Sequence, residues 1–276
     1  MKKLLLLLSS LVLATVILTG CSGGEAEESK EEESGLSDES LKVGVTGGPH
    51  ELIFEVVQDL AKEDGLDLEL VVFSDYIMPN TALDEGEIDL NSYQHGPFLD
   101  EYNDDHDTNL VAAFPSVLSA IGVYSNDVTD IKEIPEGAQV GIPNDPSNSS
   151  RALVLFEEAG VIKLDDDKRD NATILDIVEN EKDIEFTELD AAQLPKMLDE
   201  VDLAVINGNF ATESGLDPTT DSIFTESTDS PYVNVVAVKA GNEDDPVIDQ
   251  IKEYYYTDEV KDFILEEYKG AYQPSW

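Results

Sequence analysis

The chain has 276 residues with 61 acidic against 16 basic side chains, a formal charge of −45, and a single cysteine, Cys21. So negative a molecule repels phosphate backbones and anionic headgroups, which excludes nucleic acid as a partner and excludes membrane contact through a basic patch. Cys21 closes a lipobox and is expected to be acylated, so no thiol remains for a disulfide, a thiolate nucleophile or a cysteine-ligated metal.

The leader opens with Lys2 and Lys3, runs through leucines to Thr19 and ends Leu18-Thr19-Gly20-Cys21. A basic end, an apolar run and small residues before cysteine make residues 1–20 a secretory signal peptide closed by a lipobox. The run is shorter than the ~20 residues of a membrane span, which argues against a permanent transmembrane anchor. Acylation of Cys21, by palmitate or a similar chain, would hold the mature protein on the extracytoplasmic face of the cell membrane. Without Lys2 and Lys3 the formal charge becomes −47. The acids are spread along the whole chain, as on a solvated surface suited to high salt, where screening relieves self-repulsion. An ordinary acidic secreted protein is the alternative. Residues 21–40 carry the acidic stretch SGGEAEESKEEESGLSDES, too poor in apolar groups to order itself, and are expected to be a flexible tether.

From Leu41 strand-like and helix-like segments alternate. Lys42 to Thr46 reads as a strand, and Leu52, Ile53, Val56, Val57, Leu60 and Ala61 follow at helical spacing until Gly65. Leu68 to Phe73 completes a βαβ unit, whose loops at the strand C-termini would face a ligand crevice. The second half repeats the pattern. Gln139 to Pro143 reads as a strand, Asn144 to Ser150 as a loop, and Ala152 to Ala159 as a helix ended by Gly160. Strand Ile184 to Thr187, helix Ala191 to Glu200 and strand Leu203 to Ile206 follow. Two α/β lobes are the natural reading. The runs Leu118–Tyr124 and Tyr232–Lys239 bracket the second lobe and are expected to be crossover strands of a hinge. Helical segments from Val247 to Tyr268 would return to the first lobe. The expected division is lobe 1 over 41–122 plus 235–276 and lobe 2 over 123–234.

Several long stretches carry a resemblance: Gly47-Gly48-Pro49-His50, the run from Phe73 to Asn103 that contains SYQHGPF, IPNDPSNSSRAL from Ile142 to Leu153, Glu188 to Ala211, and SPYVNVVAVK from Ser230 to Lys239. The chain resembles the NlpA/MetQ family of methionine-binding lipoproteins over essentially its whole mature length. The resemblance implies a two-lobed, type II periplasmic-binding-protein-like fold closing over a free amino acid. It also implies delivery to an ABC permease driven by a cytoplasmic ATPase, with no cofactor.

Zwitterionic methionine needs a cation for its carboxylate, acceptors for its ammonium and a polarizable slot for its thioether. Arg151 is one of two arginines, and its planar fork suits a carboxylate beside a helix N-terminus. Tyr76, Tyr93 and His95 match positions that line the thioether pocket in similar proteins, where sulfur beside ring edges is favourable. Tyr93 and His95 alternate and would face one side of an extended segment, although ordinary packing accounts for such residues equally well. Phe73 and Phe98 are expected to support from behind. Asn148, Asn207 and Asn234 have amides able to accept from an ammonium or donate to a carboxylate, with Asn207 and Asn234 the preferred pair. Two departures bear on selectivity: Tyr93 stands where many relatives carry phenylalanine, and Ser147-Asn148-Ser149-Ser150 where others carry a threonine and glutamate. L-methionine is the expected ligand, with D-methionine or a methionine-containing dipeptide as alternatives.

Other classes fare worse. Three histidines, His50, His95 and His106, with no cysteine would leave a metal receptor dependent on carboxylates, and no metal site is expected. No G-x-S-x-G elbow or H-E-x-x-H pair is present, so no catalytic residue and no enzymatic activity are expected.

Overall fold

The computed structural model describes residues 35–276 apart from 228 and 229. The signal peptide, Cys21 and the greater part of the tether lie outside the described residues. The tether's last residues do not hang free: the Leu36 N–H donates to Asp245 at 3.0 Å, its side chain packs on a hydrophobic core, and Ser40 already begins a strand.

The expected βαβ unit forms as β1 (Ser40–Thr46), α1 (Pro49–Glu63) and β2 (Asp67–Phe73), with β1 and β2 parallel and Val43 opposite Leu70. In α1, Ile53, Phe54, Val57 and Ala61 recur at helical spacing on the buried face. The helix ends at Asp64, and Gly65 turns away with φ 93°, a conformation only glycine adopts without strain. The chain continues through α2 (Met78–Glu85), β3 (Leu90–His95), α3 (Gly96–His106) and β4 (Leu110–Ser119). β5 (Ile121–Tyr124), β6 (Gln139–Pro143), α4 (Pro146–Glu158), β7 (Lys163–Leu164), β8 (Ile177–Glu179) and β9 (Glu185–Leu189) follow. Then come α5 (Leu194–Met197), β10 (Leu203–Asn207), α6 (Gly208–Glu213), β11 (Phe224–Thr225), β12 (Val233–Lys239), α7 (Pro246–Tyr255), α8 (Asp258–Tyr268) and β13 (Tyr272–Pro274).

These strands make two principal sheets, ordered β13-β4-β12-β3-β1-β2 and β11-β5-β10-β6-β9. The first is covered on one face by α1, α7 and α8 through Phe54, Val57, Ile251, Tyr255 and Ile264. Its other face meets α2 and α3 through Leu83, Phe98, Leu99 and Tyr102. The second sheet packs α4 against Val140, Ile142 and Val205, and packs α5 and α6 against Ala204 and Ile206. Burial on both faces is why these strands read as near-continuous apolar runs rather than alternating ones.

Four sequence expectations are corrected. Leu118–Tyr124 is not one strand, because Leu118 pairs with Val233 in the first sheet while Ile121 pairs with Asn207 in the second. The change of sheet falls at Ala120. Tyr232–Lys239 is not a crossover either, because Asn234 to Val238 are flanked by β3 and β4 and belong wholly to the first sheet. The return path precedes them, between β11 and β12. Finally, Asn144–Ser150 is not all loop: α4 begins at Pro146, capped by the Asp145 side chain, which accepts from the Asn148 N–H. The polar run after Pro146 disguised an aspartate cap followed by a proline at the first helical position. The helix expected over Ala191–Glu200 is also shorter, a 3-10 turn at Ala191–Gln193 leading into α5.

Gly208 follows β10 and packs against the change of sheet. A Cβ there would lie 2.2 Å from Ser119 Oγ and 3.0 Å from the Ala120 carbonyl oxygen. Gly208→Ala should therefore lower stability by ~1–3 kcal/mol, measured by denaturant unfolding; an unchanged midpoint would mean the crossover gives way freely.

Candidate functional site

The ends of several elements converge where the two sheets meet. His95 closes β3, Asn207 closes β10, Asn148 and Arg151 lie in the first turns of α4, and Asn234 sits near the start of β12 opposite His95. Tyr76 lies in the segment between β2 and α2. Together with Tyr93 these residues, all seven anticipated from sequence, line one cavity.

The arginine of the lining is compensated. Arg151 is 4% exposed and directs Nη2 to Glu226 Oε2, Nε to Glu226 Oε1 at 3.1 Å, and Nη2 also to the Ser119 carbonyl at 2.9 Å. Its guanidinium carbon lies 4.4 Å from the centre of the Tyr232 ring. None of the bonds among described residues uses Nη1. The arginine thus arrives with its own carboxylate, a partner that sequence reasoning missed, although a buried guanidinium always requires one.

Aromatic rings make up another part of the lining. Tyr76 packs 5.9 Å from Tyr93, 5.9 Å from Phe98 and 4.8 Å from Phe210, ring centre to ring centre. Tyr93 donates to the Tyr76 carbonyl at 2.7 Å, which anchors its ring, and Tyr76 donates to Asn209 Oδ1 at 2.5 Å. Phe98 lines the cavity directly rather than only supporting it from behind, whereas Phe73 does stand behind.

The two cavity histidines are neutral. His95 Nδ1 accepts from the Phe98 N–H at 3.1 Å, which leaves the proton on Nε2 to donate to Asn148 Oδ1 at 3.1 Å. Burial, with Arg151 nearby, pushes its pKa down to about 3. His50 bonds Thr46 Oγ1 at 2.7 Å and Asn234 Nδ2 at 3.0 Å, and burial pushes its pKa down to about 4. With Arg151 matched by Glu226, the lining suits a ligand of zero net charge that still carries hydrogen-bonding groups. His50, Gln94, Ser119, Gly208 and Asn209 complete the lining and were not singled out as ligand contacts from sequence. Only His50 carried a signal, its place after Gly47-Gly48-Pro49.

Comparison with known proteins adds to this geometry. A family model described as NlpA lipoprotein matches residues 41–276. The chain is 39% identical over 264 residues to a probable D-methionine-binding lipoprotein MetQ of Vibrio cholerae, covering 95% of this chain and 94% of that one. It is 38% identical over 268 residues to the D-methionine-binding lipoprotein MetQ of Escherichia coli, covering 96% and 95%. Among solved structures, a nutrient binding protein from Burkholderia cenocepacia bound to methionine aligns with a TM-score of 0.84 at 45% identity, over 86% of this chain and 100% of that one. A putative methionine-binding lipoprotein from Bacillus subtilis aligns at 0.83 and 36% identity, over 86% and 98%.

The histidines give a pH prediction. Unfolded, each ring titrates near pH 6.5; folded, the values fall to about 4 and about 3. The unfolded chain binds more protons between these limits, so the stability contributed by the neutral rings is complete above pH 6.5 and is lost as pH falls toward 4. NMR titration should find both rings uncharged at about pH 5.5, a full unit below the free imidazole value. A cavity ring protonating at its free value would overturn the assignment.

Proposed function

The chain belongs to the NlpA lipoprotein family, and from that premise we propose that it is the extracytoplasmic substrate-binding lipoprotein of a methionine ABC importer. The observation that carries this reading is the composition of one cavity, lined by the Arg151 guanidinium and amides and by the rings of Tyr76, Tyr93 and Phe98. A zwitterion with a thioether tail matches both kinds of group: Arg151 and the amides of Asn148, Asn207 and Asn234 address the charged groups, and the rings and His95 embrace the sulfur. L-methionine is the proposed ligand. The names of the relatives give a second reading, D-methionine, which differs only in how the two charged groups meet the same lining.

The role is binding and delivery, without turnover. Acylated Cys21 tethers the protein to the outer face of the membrane, and the permease with its ATPase receives the ligand. Between these events the two sheets, with their helices, rock about Ala120 and the return path before β12. The contacts Tyr76–Asn209, His95–Asn148 and Ser147 N–H to Glu101 at 2.8 Å join elements of the two sheets and would be made on closure.

Calorimetry on refolded, ligand-stripped protein should detect L-methionine binding, with D-methionine and glycylmethionine discriminating the stereochemistry and size of the site, and leucine and zinc as controls. Arg151→Ala should weaken binding by ~2–5 kcal/mol, the range for removing one partner of a buried charged contact. Affinity unchanged in that variant would remove Arg151 from the ligand, and failure of every methionine compound to bind would end the proposal. X-ray scattering should show compaction when methionine is added to stripped protein; identical profiles would contradict rocking.

A further inference from the structure

Behind the cavity lies a carboxylate that does not line it. We propose that Asp145 is a positioning residue which, through Asn148, decides which atom of Asn207 meets the ligand, and so reserves that point of the cavity for a donor such as a primary ammonium. The proposal rests on the functional reading above and adds to it the residue that orients the zwitterion.

The argument is one of hydrogen-bond direction. A carboxylate only accepts. Asp145 Oδ1 takes the Asn148 backbone N–H at 2.9 Å and Asn148 Nδ2 at 2.8 Å, so the amide of Asn148 has one orientation. Its Oδ1 is then an obligatory acceptor, filled by His95 Nε2 at 3.1 Å and Asn207 Nδ2 at 2.9 Å. The neutral His95 tautomer agrees, since its Nδ1 already accepts from Phe98. Asn207 is therefore left presenting Oδ1, which is buried without a partner among the described residues although the residue is only 7% exposed. A buried unpaired carbonyl favours a donor and repels a carboxylate.

Asp145→Asn tests this, because asparagine caps a helix as well as aspartate does but offers either an oxygen or an NH₂ and releases Asn148 to turn over. Methionine affinity, measured by calorimetry, should fall about ten- to a hundredfold, the scale of one hydrogen bond to a charged group. In an Asn207→Ala background the same substitution should change affinity less than about twofold, as expected for residues acting in series. Affinity for 4-(methylthio)butanoate, which keeps the thioether and carboxylate but lacks the ammonium, should not respond to Asp145→Asn. Equal losses in both backgrounds would assign Asp145 a bulk charge or folding effect, and equal losses for both ligands would do the same; either result overturns the proposal. Asp145→Ser, another capping residue, goes through the same cycle if the asparagine variant is unstable. Should the unaltered protein bind no methionine, the functional reading falls with it; should it bind and the cycle show no coupling, this inference alone falls.

Discussion

A guanidinium enclosed between two sheets is costly to desolvate without a nearby anion, and the pairing of Arg151 with Glu226 organises the site around that requirement. Desolvating either group alone is costly, whereas the two together, with the Ser119 carbonyl and the Tyr232 ring, form a compensated unit. The partners come from α4, from the end of β4 and from the return path after β11, so the ion pair also ties the second sheet to both sides of the chain's passage between sheets. The other three ion pairs among the described residues lie at more exposed positions, at Lys163 and Arg169, where solvent leaves little net stabilisation.

That compensation explains how so acidic a protein can take a ligand of zero net charge. Among the described residues no aspartate or glutamate is among the buried polar side chains. Inside the cavity the balance is different: one arginine is answered by one glutamate, two histidines are held neutral by burial, and amides do the remaining recognition. The surface field falls off within a Debye length in salt, whereas the cavity is governed by short, directional contacts. Acidity of the exterior and chemistry of the interior are therefore independent, which is why composition excluded partners without indicating a ligand.

Legibility varied with how local the cause was. The βαβ unit, β6, β10 and the two C-terminal helices were readable because apolar period and glycine stops act within a few residues. The start of α4 was misread because serine and asparagine look like loop, although Asp145-Pro146 holds the start signal. Leu118–Tyr124 looked continuous because β-branched residues favour extension in either sheet; only the pairing partners, Val233 for Leu118 and Asn207 for Ile121, divide it. The strand β13 adds at the edge of the first sheet beside β4, a partnership between residues distant in sequence that no local pattern announces.

The sequence by itself determined the alternation of strands and helices that makes two α/β layers, through residue type and spacing, and, through its resemblance to a family, seven residues that share one cavity. Tertiary structure alone decided that Glu226 answers Arg151 across 75 positions, that Asn148 receives both His95 and Asn207, and that His50 and Asn209 join the lining. Hydrogen-bond direction and counter-charge depend on which groups are brought within about 3 Å in the folded chain, and no feature of the linear order encodes that distance.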